Sequence, residues 1–217
     1  MLAVDTSVDT FLEAFQGFPY AYGASGDRPH CVWDEVTPDL VAAHLGGTKP
    51  IGVYPMVYDP RYRVGGPAAF STDRLYRYGD DRSLWMCRWG CVDIDAQSDT
   101  RAGQGTADEC LEAGWALADA IGSGSFVERT RSGGAHVWLF VDDWVRCDDM
   151  RGFLGDAVAR AGVRIDGIFP RADRCGGPPG NFVRLPYFGA AETGRLTMVN
   201  RQGRPISFAD FLEAVTD

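Results

Sequence analysis

The chain has 217 residues, of which 45% are hydrophobic and 24% charged. That is ordinary globular composition, and it excludes a mainly disordered, collagen-like or coiled-coil protein. The formal net charge of −9 argues against a protein that coats nucleic acid by bulk electrostatics, but leaves room for an enzyme with a local basic groove. No apolar run approaches the ~20 residues of a membrane helix, and Met1 to Phe15 carries Asp5, Asp9 and Glu13 without a basic residue, unlike a secretory signal.

Lys49 is the sole lysine among 21 basic residues, so cationic chemistry falls to arginine, whose planar fork suits phosphate. Cys31, Cys87, Cys91, Cys110, Cys147 and Cys175 are expected as reduced thiols, since no export signal accompanies them. Cys87 and Cys91, with His30 and Cys31, lack the second tight pair of a structural zinc site, and none is expected.

In chain order, residues 8 to 16 read as a short helix with Phe11, Leu12 and Phe15 inward. Residues 17 to 35 read as loop. Thr37 as N-cap and Pro38 at the first helical position open a second helix, which Gly46 and Gly47 close. Ile51 to Tyr54 is a short strand. Residues 58 to 83, with Arg61, Arg63, Arg74, Arg77 and Arg82 among Gly, Pro and Tyr, read as an exposed loop. Leu84 to Ile94 is a buried strand. Thr106 and Glu109 form a capping box for a helix striped by Leu111, Trp115, Leu117 and Ile121. Phe126 to Thr130 and His136 to Val141 are strands joined by a Ser-Gly-Gly turn. Asp148 to Ala161 is a helix with Met150, Phe153, Leu154, Ala157 and Val158 inward. Phe182 to Leu185 and Leu196 to Val199 are strands, and Ser207 caps a last helix carrying Phe208, Phe211, Leu212 and Val215. The order β-α-β-β-α-β over 84 to 186 is that of the split βαβ unit.

Three features could carry chemistry. In Val92-Asp93-Ile94-Asp95, strand alternation sends Val92 and Ile94 to the core and both acids to the other face. Two carboxylates that close repel unless a cation lies between them, and hard oxygen ligands suit Mg²⁺ or Mn²⁺. They also read as two solvated acids at a strand end. In Arg129 to His136, two arginines (Arg129 and Arg131), Ser132, Gly133, Gly134 and His136 converge on one turn. Backbone N–H groups of such a turn can nest an anion, and Arg and His add charge-assisted bonds; a plain hairpin turn is the other reading. Asp166 follows the second helix of the unit, where a strand beside Asp93 and Asp95 would start. Arg184 interrupts the apolar strand of Phe182, Val183 and Leu185, which is costly unless it finds a partner or snorkels to water. Together these residues fit a two-metal phosphoryl-transfer site.

The motifs Asp93-x-Asp95, Gly134-Ala-His136 and Ile165-Asp166, with Val41 to Gly47, Ile51 to Pro55, Ser132 to Phe140 and Gly180 to Pro186, resemble the archaeo-eukaryotic primase superfamily, in its primase-polymerase branch of phages, plasmids and TOTE-type mobile systems. The resemblance spans roughly residues 35 to 215. It implies an α+β fold: an N-terminal αβ lobe (1–83) packed on an RRM-like catalytic lobe (84–217), with the active site in the cleft between. It implies that Asp93, Asp95 and Asp166 hold two divalent metals, Mg²⁺ or Mn²⁺, and that His136 and Arg184 bind the incoming triphosphate, aided by Ser132, Gly134, Arg129 and Arg131.

The expected activity is that of a DNA primase-polymerase, joining (d)NTPs on a single-stranded or primed DNA template, in replication of a phage or mobile element. A replicative helicase, as domain or separate protein, is a candidate partner. No membrane contact is expected, and the location is expected to be the cytoplasm of a bacterial host or phage-infected cell. A gap-filling polymerase of the ligase-associated type is the alternative. A non-catalytic RRM-like binder, stacking bases on Trp138 and Phe140, is disfavoured because acids on that face would repel phosphate. Tyr54 reads as packing, with a role in sensing the nucleotide sugar as the weaker option.

Overall fold

A computed structural model describes residues 3–24, 29–58, 85–96, 105–171, 181–190 and 196–216, the backbone alone at 3–5, 58 and 190. The chain is α+β, with two antiparallel sheets and five α-helices among these residues.

The larger sheet grows from β5 (Trp85–Ile94) and β7 (Ala135–Arg146), which pair antiparallel along most of their length. β6 (Ser125–Arg129) joins β7, and β10 (Thr197–Val199) joins β6. The other edge of β5 takes β4 (Val57–Tyr58) near its start and β8 (Gly167–Phe169) near its end. The order β6–β7–β5–β8, with α3 (Ala107–Ile121) between β5 and β6 and α4 (Cys147–Ala161) between β7 and β8, realises the β-α-β-β-α-β reading.

Alternation divides this sheet's side chains as expected. Val92, Ile94, Val127, Val137 and Leu139 pack with Leu111 and Leu117 of α3 and Met150 and Leu154 of α4. Gly90 lets α4 come close: a Cβ there would meet Leu154 and Met150. On the opposite face Trp89, Cys91, Trp138, Phe169 and Met198 pack with Phe11 and Phe15 of the α1 region (α1, Ala3–Ala14) and Phe211 of α5 (Phe208–Thr216). The Phe15 ring stands edge-on to Trp138 at 5.1 Å and to Phe140 at 5.2 Å.

The smaller sheet runs β2–β1–β3–β9: His30–Val32, Tyr22–Ala24, Ile51–Val53 and Val183–Arg184. Helix α2 (Pro38–Leu45) connects β2 to β3. Thr37 caps it by accepting from the Leu40 amide at 3.2 Å, as Thr106 and Glu109 cap α3 reciprocally and Ser207 caps α5 through the Asp210 amide.

Four expectations change. The stretch 17 to 35 contains β1 and β2, strands too short for periodicity, which pair with each other and, through β1, with β3. β7 continues to Arg146 because, past an irregularity at Cys87 to Trp89, its end pairs with Met86 and Cys87. The strand at 182 to 185 is not the last strand of the split unit: β8 fills that place, and β9 pairs with β3 in the smaller sheet. Phe153 is 44% exposed, because the buried stripe of α4 runs through Met150, Leu154 and Ala157. Residues 59 to 83, with the arginines of the expected loop, and Cys175 lie outside the described residues.

Candidate active site

One row of side chains crosses the larger sheet. Glu128 on β6 lies opposite His136 on β7, His136 opposite Asp93 on β5, and Asp93 opposite Gly167 on β8. Directly opposed residues share a face, so β-pairing alone assembles acid, imidazole and acid, with Asp166 immediately before β8. The Asp166 amide donates to the Asp93 carbonyl at 2.8 Å, which ties the two strand ends together. Asp95, one residue past the end of β5, comes to the same cluster. Carboxylate oxygens of Asp93, Asp95 and Asp166 all lie within 4.8 Å of one another.

Three carboxylates so close repel when ionised. Asp93 and Asp95 are half-buried and Asp166 exposed, so the cluster is open to an ion on one side. An all-oxygen, all-anionic donor set fits a hard divalent cation such as Mg²⁺ or Mn²⁺.

A cavity of about 1150 Å³ opens over this row. Asp93, Asp95, Glu128 and His136 line one wall. Arg131 and Ser132 sit at the β6–β7 turn, where Thr130 and Ser132 hydroxyls meet at 3.2 Å. The smaller sheet and its neighbours line the same cavity with Ile51, Phe182, Arg184 and the buried His44. Arg184 reaches the cavity through alternation. Val183 and Leu185 point into the core, and Arg184, opposite Gly52 on β3, points the other way. The Arg184 guanidinium has neither an ion pair nor a hydrogen bond among the described residues.

Two residues expected at the site are placed differently. Arg129 alternates to the α3 face, where its guanidinium lies 4.0 Å from Asp108 and does not line the cavity. Gly134 contributes space rather than a contact. A Cβ there would collide with the Ile94 carbonyl oxygen and crowd the Asp95 backbone, so glycine is what lets β7 start alongside the acid-bearing end of β5. Tyr54 is core: 1% exposed, edge-on to Phe182, with burial and the hydrogen bond its hydroxyl donates to Cys31 raising its pKa. Trp138 is fully buried and Phe140 half-buried under Phe15 and Phe211, so the aromatic face that a base-stacking module would need is covered by α1 and α5.

Glu128 was not among the expected site residues. It is 1% exposed, and its Oε2 accepts from His136 Nδ1 at 2.9 Å and Trp138 Nε1 at 2.8 Å. On the far side of the ring, His136 Nε2 stands 3.5 Å from Asp93 Oδ1. Burial works against an imidazolium here, but Glu128, followed by Asp93 and Asp95, outweighs it and raises the His136 pKa. The signal for Glu128 was in the hairpin: a turn of known length fixes the register, and register places 128 opposite 136.

His44 also lines the cavity unforeseen. Its Nδ1 accepts from the Ile51 amide at 3.2 Å, so its Nε2 carries the proton and donates to the Pro186 carbonyl at 2.9 Å. Burial lowers its pKa.

Among curated proteins, none matches this sequence. A family model described as the archaeo-eukaryotic primase domain of the TOTE conflict system matches residues 75–216, a span that holds the three aspartates, the His136 turn and Arg184. Primases of this superfamily perform nucleotidyl transfer, use divalent metals and have nucleic acid and nucleoside triphosphates as partners. With about two thirds of its length matched, the chain belongs to the archaeo-eukaryotic primase domain family of TOTE conflict systems.

Proposed function

We propose that the protein is a DNA primase-polymerase domain that extends or starts a strand from (d)NTPs on a DNA template. The observation that carries this reading is that one cavity is lined by both charges: Asp93 and Asp95 of the larger sheet, with the Asp166 carboxylate within 4.8 Å of theirs, and Arg184 of the smaller sheet, with Arg131 at the β6–β7 turn.

Asp93, Asp95 and Asp166 would hold the divalent ions. When bound, such ions activate the attacking 3′ oxygen and stabilise the departing pyrophosphate. The chain's own residues bind and orient. Arg184 offers a planar fork to the triphosphate, bidentate and charge-assisted. Arg131 and the Ser132 hydroxyl approach the same anion from the β6–β7 turn. His136 presents Nε2 to the cavity between Asp93 and the triphosphate. Holding the nucleotide in line with the acids is the larger part of catalysis in phosphoryl transfer.

The test is incorporation of one labelled nucleotide on primed and unprimed single-stranded DNA, with Mg²⁺ or Mn²⁺ added. Metal-dependent, template-matched incorporation is expected. Synthesis on unprimed template separates a primase-polymerase from a gap-filling enzyme, which needs an existing end. Absence of any incorporation with either metal would overturn the reading.

A further inference from the structure

We propose that Glu128 is a positioning residue: it holds the His136 ring by Nδ1 so that Nε2 is the nitrogen presented to the cavity. The part of this that concerns nucleotide binding rests on the function proposed above; the hold on the ring does not.

A carboxylate buried to 1% exposure is expensive and is kept where it satisfies specific donors. Here one oxygen, Oε2, takes both bonds, from His136 and from Trp138, while the buried Oε1 has no hydrogen-bond partner among the described residues. Among the described residues, the hydrogen bonds of the carboxylate are directed at the imidazole and at the indole beside it. Trp138 cannot yield. It is fully buried, 5.1 Å from Phe15 and 5.3 Å from Trp89, and it stands edge-on to the His136 ring at 5.7 Å. The indole thus fixes Glu128, and Glu128 fixes the imidazole.

An imidazole has two nitrogens, and the partner of one decides the role of the other. With Nδ1–H given to Glu128, Nε2 faces Asp93 and the cavity. Without that acceptor, a ring flip would exchange the two nitrogens, and the other tautomer would become available. Partners of this kind behind a functional imidazole are worth about 10–100-fold in the metal sites where they have been measured.

Two measurements test this, one of which needs no catalysis. In protein labelled with ¹⁵N at its three histidines, assigned with His136→Ala, the His136 ring should show a protonated, hydrogen-bonded Nδ1. Glu128→Leu should abolish that signal and Glu128→Gln, whose carbonyl can still accept, should restore it. An unchanged His136 spectrum in Glu128→Leu would overturn the proposal. In steady-state kinetics, Glu128→Leu should lower kcat/KM for nucleotide by about tenfold or more, with template affinity retained and with partial recovery in Glu128→Gln. In a His136→Ala background the same change should add nothing. Losses that multiply would show a general structural role and overturn it.

If Glu128→Leu does not fold, Glu128→Gln carries the same cycle, since its effect too must vanish in the His136→Ala background. A wild-type protein that incorporates no nucleotide would sink the proposed function, while the ring spectra would still decide the role of Glu128.

Discussion

The three acids and Arg184 make opposite demands on the fold. Asp93 and Asp95 sit within a few ångströms of a third carboxylate, so removing one charge relieves repulsion in the metal-free protein. Asp93→Asn and Asp95→Asn should melt at or above the wild-type temperature yet lose incorporation. Mg²⁺ or Mn²⁺ should raise the Tm of the wild type and not of either variant, because only a bound ion stabilises the folded state. Near-normal incorporation by either variant would remove the metal assignment. Arg184 makes no side-chain ion pair among the described residues, which leaves a salt bridge to Asp166 out of its account. Arg184→Lys should therefore leave Tm almost unchanged while raising the nucleotide KM, since a point charge lacks the bidentate fork. A large fall in Tm with normal KM would make Arg184 structural.

At the scale of elements, His44 is a joint. Its ring bonds the start of β3 through Ile51 and the turn after β9 through Pro186, while the Leu185 amide bonds the Ile51 carbonyl at 3.1 Å. Protonating Nδ1 would break the Ile51 bond, consistent with the lowered pKa that burial imposes. The sign follows from linkage. Above the ordinary value of 6.5 the ring is neutral in both states and its contribution to stability is complete. As pH falls below 6.5, the unfolded chain takes a proton that the folded ring refuses, and stability is lost. His136 has a raised pKa and acts in the opposite sense, so the comparison must be between wild type and His44→Gln. The Tm advantage of the wild type should be greatest near neutrality and shrink from about pH 7 to about pH 5; a constant difference would disconnect His44 from acid sensitivity. Because β9 carries Arg184, the same joint aligns the cationic lining of the cavity.

For the whole molecule, the two sheets are interleaved along the chain. β9, late in sequence, completes the early sheet, whereas β4, early in sequence, joins the late one. Phe11 and Phe15 from the N-terminal region cover Trp138 and meet Phe211 of the last helix. The family match begins at residue 75, yet a fragment from 75 onward would leave β9 without β3 and expose the aromatic face of the larger sheet. Such a fragment should show no cooperative melt and should bind a hydrophobic dye, with its tryptophan emission shifted towards that of exposed indole. A sharp transition near the wild-type Tm would mean that the first 74 residues are dispensable for folding.

What the sequence determined by itself was local and periodic. Caps at Thr37, Thr106 and Ser207 announce helices because side-chain oxygens satisfy orphan amides within three residues. Alternation in Val92 to Asp95 put both acids on one face without knowledge of any partner strand. The tertiary structure decided what depends on distant chain. It alone paired β9 with β3, so that Arg184 lines the acids' cavity from a second sheet rather than from within theirs. It alone formed β1 and β2, whose three residues each are too few for a period to show. Burial then turned the Glu128–His136 pair, which the hairpin register already opposes, into a held one, by packing Trp138 beside both. The reason is physical: propensity and capping act over a few residues, whereas strand pairing and burial join residues that are close only once the chain has folded.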